Sequence, residues 1–393
     1  MGAAAILGGL LVGTATYAAD LSGDDRPRTG NSLVRDWSAR TGGQQVLGGS
    51  RVPGVPTVQR LRHDDVTFTV TVAPARPGRN LVRIDSSHAH GRTGPPVLVG
   101  TDEDDLVRAR PRPGTDGLWA VVDLPEGSGA VLVTHGPTHR VPFVVETGTV
   151  PVDPAVSGDW VGADGPECVA VATAAVLAGG SAPSTCPSAA LDADDADALR
   201  ATVHRLAERG VTELALQHDD SARSLAALDL VRGVAETYGV PVVLPEDPPG
   251  ERSALLVLGG WATSAEHLSA TSATPLRRQP IRSDGTWLAP WLLNPGVVDS
   301  TAGAVLALDF DIREPQAQEF SQTLGKLFPG QLPTGPAYRA WRKVRGDDAG
   351  PLRLYAASRA AYMPASSGHA NHETVVAWFP GGTVTPVGSL DAG

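Results

Sequence analysis

The sequence predicts a protein of two domains, an antiparallel β-sandwich followed by an α/β domain built on a parallel sheet. Three observations carry that prediction. Short β runs separated by turn formers fill residues 58 to 147, and nothing there has a helical period. A Pro- and Gly-rich boundary, Gly148 to Gly158, comes next. Beyond it strands alternate with amphipathic helices, the pattern of strand–helix–strand units with right-handed crossovers.

The totals agree with two domains. The chain has 393 residues, 41% of them hydrophobic and 19% charged, enough to bury two cores. The formal net charge is −11, and Lys and Arg form no tail or stripe. A nucleic-acid partner, which needs clustered cations against phosphates, is thereby excluded. Lys326 and Lys343 are the two lysines among 32 basic residues, which together with the abundant Ala, Gly and Pro indicates a GC-rich genome.

Residues 1–19 hold an apolar run, Ala3 to Val12, then small residues, with Thr16-Tyr17-Ala18 suited to cleavage before Ala19. They read as a signal peptide or membrane anchor, the run being short of the ~20 apolar residues that span a bilayer; a buried N-terminal helix is the alternative. Export places the chain outside the cell or in its envelope. Residues 20–53, polar and rich in Gly, Arg and Asp, read as a flexible arm.

The sandwich is expected over 54–148. Val66 to Val72 alternates with period two, as a half-buried strand should. Further runs follow at Leu81 to Ile84, Val97 to Val99, Leu118 to Val122, Ala130 to Val133 and Val141 to Val145. Residues 149–158 form the linker and 159–365 the α/β domain, with 366–393 a C-terminal segment. In the α/β domain the spacing predicts helices over Asp192 to Arg209, Ser221 to Tyr238, Glu314 to Phe328 and Gly335 to Val344. Strands are expected at Leu214 to Gln217, Val240 to Leu244, Ala254 to Leu258 and Ala304 to Leu308. Cys168 and Cys186 are the two cysteines, and in an exported chain they are expected to pair as a disulfide.

Ligands of open parallel sheets bind off the carboxyl ends of the strands. Three segments are expected there. Asp219, Asp220, Ser221 and Arg223 open a helix, and free amides in that turn suit an anion, although ordinary capping uses the same residues. Gly260 and Trp261 combine a permissive backbone with an indole wall, or a tight turn with a core Trp. Asp284 and Trp287, near Trp291, suit a cleft or a packed domain edge. The chain lacks a Gly-x-Ser-x-Gly elbow, a phosphate-binding Gly-Lys-Ser/Thr loop, a dinucleotide fingerprint and a His-Glu-x-x-His pair, so no catalytic residue is assigned. His88 and His90 lie on one face of an extended segment in a geometry Cu(II) or Zn(II) accepts, and His369 with His372 forms a looser set. Surface histidines are the commoner explanation of both.

Two resemblances add to this. Leu214 to Ser221 with Gly239 to Val243, and Asp309 to Asp311 through Pro315 to Phe320, Leu327 to Gly330 and Ala337 to Trp341, are similar to segments of the type I periplasmic-binding fold. The branch is that of branched-chain amino-acid receptors of ABC transporters. Roughly 240 residues follow the linker, too few for two full lobes. Val72 to Val82 resembles the immunoglobulin-like domains of bacterial copper-resistance proteins. The resemblances imply a non-catalytic, cofactor-free solute-binding or sensor-like protein. Its ligand would be a small polar molecule, an amino acid among the candidates, and its partner a membrane transporter or envelope protein. The alternative is a copper-handling or envelope scaffold protein.

Overall fold

The computed structural model describes residues 45–48, 52–63, 66–87, 96–136, 139–359 and 378–390. The first part is a sandwich of two antiparallel sheets. One has the order β1 (Gln45–Gly48), β2 (Thr57–His63), β3 (Val66–Ala73), β4 (Gly78–Ser86), β7 (Leu118–Leu124). The other runs β6 (Val107–Arg108), β5 (Val97–Gly100), β8 (Gly127–His135), β9 (His139–Gly148). Phe68, Val70 and Val72 of β3 meet Val97, Val131, Val133 and Phe143 of the facing sheet in one apolar core. Strand β1 pairs with β2, so part of the stretch expected to be a flexible arm belongs to the sheet.

The half-buried expectation for β3 is corrected. Nearly all of β3 is buried, because its sheet is covered on both sides. Ala73, Leu81 and Trp119, on the face away from the sandwich core, pack against Trp160, Val161, Cys168 and Val169 of the following domain. Those residues belong to helices α1 (Pro154–Val161), which begins inside the expected linker, and α2 (Gly165–Leu177), where the sequence pattern names no element. Their prolines punctuate without breaking, since a first-turn Pro lacks an N–H that would be unpaired anyway. Asp153 caps α1 by accepting from the Ala155 amide at 2.9 Å. Helix α2 shows no amphipathic period because Cys168, Val169, Val171, Ala172, Thr173, Ala174 and Ala175 are all buried, and an enclosed helix needs no polar face. A disulfide ties Cys168 of α2 to Cys186, next to a 3-10 turn at Pro187–Ala189.

The second part is a seven-stranded sheet: β11 (Val242–Val243), β10 (Glu213–Gln217), β12 (Ser253–Val257), β13 (Thr286–Leu288), β14 (Ala304–Leu308), β15 (Arg353–Arg359), β16 (Gly382–Ser389). The first five are parallel and the last two antiparallel. Counted along the chain, the parallel strands lie in the order 2-1-3-4-5, a doubly wound sheet whose switch point lies between β10 and β12. Helices α3 (Ala193–Glu208), α4 (Ala222–Thr237), α5 (Trp261–Ala273), α6 (Pro295–Val298), α7 (Pro315–Leu327) and α8 (Gly335–Arg345) accompany it. Asp192 caps α3 and Ser221 caps α4. Strand β16 with Trp378 and Phe379 joins this core, so residues 378–390 are part of the domain rather than a separate segment.

The sandwich sits over the carboxyl ends of these strands through the loop between β6 and β7. Arg112 there donates to the carbonyls of Gly162 and, at 3.1 Å, Val161 at the end of α1. Gly114, at φ +70°, approaches so closely that a Cβ would lie 2.5 Å from the Trp261 carbonyl oxygen. A Cβ on Gly296 would in turn lie 2.3 Å from the Gly114 carbonyl carbon. Backbone meets backbone here, which only glycine permits. No helix among the described residues is long and apolar enough to cross a membrane.

Candidate functional site at the strand ends

Strand β10 ends at Gln217 and gives way to Asp219 and the cap of α4. The Asp219 carboxylate accepts from the Gly260 amide at 2.6 Å, the Ser221 amide at 3.0 Å and the Ser221 hydroxyl at 2.7 Å, stitching the turns after β10 and β12 together. Burial works against its charge, but these donors outweigh it and hold Asp219 below its ordinary carboxylate range.

Arg223, in the first turn of α4, points inward. Its two terminal nitrogens donate in parallel to the two carboxylate oxygens of Glu167 on α2, each at 2.7 Å. Glu167 is 0% and Arg223 2% exposed, so this is a fully desolvated, two-pronged ion pair. The guanidinium lies 4.7 Å from the ring centre of Trp291. The indoles of Trp261 and Trp291 are crossed: Trp261 Nε1 donates to the Trp291 carbonyl at 2.9 Å, and Trp291 Nε1 to the Gly259 carbonyl at 3.0 Å. Burial raises the Glu167 carboxyl against the pull of Arg223. Burial also opposes the charge on Arg223, but Glu167, Asp195 and Asp164 prevail and raise it.

Asp164 heads α2 yet caps another helix. Its carboxylate lies against the amino end of α5, where the Trp261 and Ala262 amides favour its charged form. A Cβ on Gly260 would overlap its Oδ2 at 1.9 Å, so glycine is what admits the acid to that turn. Burial lifts Asp164 above the ordinary range, Arg223 pulls it back, and Asp219 adds to the upward push. Asp164 Oδ1, Gln217 Oε1, Ser264 Oγ and Arg223 Nε are buried without a partner among the described residues.

Between this cluster and the sandwich lies a crevice of about 50 Å³. Trp119 and Arg83 wall it from the sandwich side, Val169 and Trp261 from the other, and Asn294 and Gln331 line its end. Arg83 is held by Asp85 at 3.1 Å and lies over Trp119. The Gln331 amide nitrogen is buried and has no partner among the described residues, with the residue 8% exposed. A water needs ~10–15 Å³ and drug-sized ligands ~300 Å³ or more, so the space suits only a very small polar molecule. A wider groove of about 700 Å³ lies elsewhere, between the outer faces of α3 and α4 at Ala201, Leu230 and Val234.

The structure therefore brings Asp219, Ser221, Arg223, Gly260 and Trp261 together at the switch point, while Asp220 is exposed beside them. Asp284 and Trp287 do not join them. Asp284 precedes β13 and pairs with Arg209 at 3.1 Å and Arg252 at 3.7 Å, at the amino ends of the strands. The Trp287 indole donates to the Asp284 carbonyl at 2.9 Å. Trp291, noted beside Trp287, joins the cluster, and Asp164, Glu167 and Gln331 complete it without having been singled out. One signal was available: acids three residues apart at a helix start share a face, and here that face is buried. His88, His90, His369 and His372 lie outside the described residues. Among the described residues no three His, Cys, Asp or Glu side chains are grouped to hold a metal ion.

No protein-family model matches the chain, and no curated protein matches it. Solved structures of low similarity do. One is an ABC transporter substrate-binding protein of Desulfitobacterium hafniense in complex with Leu, 15% identical over 38% of this chain and 47% of that one, with a TM-score of 0.26. A second is a solute-binding protein of R. palustris in complex with benzoate, 12% identical over 38% of this chain and 46% of that one, TM-score 0.30. A third is a periplasmic ligand-binding protein of a branched-chain amino-acid ABC transporter from Burkholderia xenovorans, 11% identical over 49% of this chain and 63% of that one, TM-score 0.32. This chain spans about half the length of the first two. At these scores the likenesses assign neither family nor ligand. The site rests on its own geometry.

Proposed function

We propose that the chain is a non-catalytic, exported binding protein whose α/β domain takes a small polar molecule at the strand ends, in the crevice between Trp119 and Trp261. The observation that carries this is Gln331, which lines a crevice with two indole walls and whose buried amide nitrogen has no partner among the described residues. A buried donor left unpaired costs about 1–3 kcal/mol, and a ligand carbonyl or carboxylate oxygen would recover it. Asp219, Ser221 and Gly260 then serve as the framework that sets the Trp261 wall, and Trp261 is the one expected ligand-binding residue that lines the crevice. The disulfide agrees with an oxidising compartment. A transporter or envelope partner belongs to the same reading, by analogy of fold alone.

The test is tryptophan fluorescence and thermal melting of the purified chain against small amino acids, amides and carboxylates. Binding should quench or shift the emission, raise the melting temperature with concentration as mass action requires, and disappear in Gln331→Leu. Binding undiminished in Gln331→Leu would remove this placement. A chain that responds to none of these solutes would leave the scaffold reading, which the filled Arg223 position favours.

A further inference from the structure

We infer that Asp164 and Glu167 are ligands in cis: the switch point of this sheet is a carboxylate-binding seat, and the first turn of α2 fills it with the chain's own side chains. The inference concerns the position behind Trp261 and does not rest on the crevice reading.

Four features make the seat. Carboxyl ends of a doubly wound sheet at its switch point are where such sheets bind ligands. Two anion-binding devices converge there. One is the Arg223 fork, backed by the Trp291 ring and presented from the first turn of α4. The other is the amino end of α5, a helix of 13 residues entered through Gly259 and Gly260, against which the Asp164 carboxylate is packed. Each device is occupied by a carboxylate, and both carboxylates come from one turn, Asp164 and Glu167, of a helix outside the βαβ units that build the sheet. Finally, Arg223 Nε is buried and has no partner among the described residues, a donor in excess of what one carboxylate satisfies. An ordinary core ion pair accounts for the fork but not for a second acid set on the neighbouring helix terminus.

The size of the occupant is defined. Glu167→Ala removes four heavy atoms, the terminal methylene and its carboxylate, which are the heavy atoms of acetate. In Glu167→Ala the seat should therefore accept acetate or formate from solution. The full chain is melted in sodium formate, acetate or chloride at equal ionic strength. Glu167→Ala should melt well below the native chain in chloride and recover several degrees in formate or acetate, saturably, while the native chain shows no carboxylate-specific rise. Adding Arg223→Met to Glu167→Ala should abolish the recovery, because the fork is gone. A rise in Glu167→Ala no greater in carboxylate than in chloride overturns the inference, as does recovery that persists without Arg223. Should Glu167→Ala not accumulate folded, refolding from urea in formate against chloride reads the same outcome. Recovery only in formate supports the seat, and equal failure in both salts overturns it.

Discussion

The two ends of one parallel sheet use the same residue types to opposite ends. At the amino ends, Asp284 meets Arg209 and Arg252, both arginines about half exposed, and Arg282 meets Glu213 at 2.9 Å. Arg209 and Arg252 reach Asp284 from the solvent side, while Arg282, its side chain 2% exposed, is buried against Glu213. At the carboxyl ends, Arg223 and Glu167 are cut off from water, Trp261 and Trp291 exchange hydrogen bonds with backbone carbonyls, and several polar atoms lack partners among the described residues. Acids and indoles beside the strands thus form loop supports at one end and a buried cluster at the other. What separates them is strand direction, which residue type does not report.

The largest effect expected is at the Arg223 fork. Removing one member of a desolvated pair leaves an uncompensated buried charge, so Arg223→Met should cost about 3–5 kcal/mol in urea unfolding. Asp284→Asn, at the other end, should cost about 1 kcal/mol, since its partners are open to solvent. Equal costs would end the contrast between the two ends.

Next in size are the glycines where the domains touch. Gly114→Ala places a side chain at positive φ against the Trp261 carbonyl, and a loss of about 2 kcal/mol is expected. Because the sandwich leans on the strand ends there, the same change should loosen the crevice and shift tryptophan emission. An Ala at Gly285, also at positive φ but in open space at the amino ends, should cost less and leave emission alone.

The smallest effects are in pH dependence, and two acids should oppose each other. Burial raises Asp164, so the folded chain holds that proton more tightly than the unfolded one. Its stabilisation is present below the usual carboxylate range, near 3.9, and is lost as pH rises through the raised value. At Asp309, burial is outweighed by Arg339 and Arg342, which lower it. Its stabilisation is present above the usual range and lost as pH falls through the lowered value. Asp164→Asn should therefore flatten the loss of stability from mildly acid to neutral pH, and Asp309→Asn should flatten the loss toward acid. Urea midpoints between pH 3 and 8 would check both signs.

Much of this was legible in the sequence where local pattern and final environment agree. Helix α3 falls where Asp192 and the Leu199, Val203, Leu206 stripe predict it, and β10, β12 and β14 follow their apolar runs. The missing pieces share one cause, which is burial on more than one side. Helix α2 has no polar face to betray its period, and β3 looks half-buried because its polar alternates, Thr69 and Thr71, are small enough to be enclosed. Strand β13 is three residues long, too short for any period. The gathering of Asp219, Arg223 and Gly260 at the switch point was legible from their places after the strands. That of Asp164 and Glu167 was not, because they lie more than fifty residues upstream of Arg223, and only the fold carries them there.

The Cys168–Cys186 link sits one residue past Glu167. A carboxylate on a tethered turn meets its seat at an effective concentration set by the tether, and a crosslink that restrains the turn keeps that concentration high. Any dissolved carboxylate competes against it, and must be present at a comparable concentration to win. With thiols in place of the disulfide the same two acids would remain beside the same arginine. Their advantage over a dissolved rival would then be set by the packing of α2 alone.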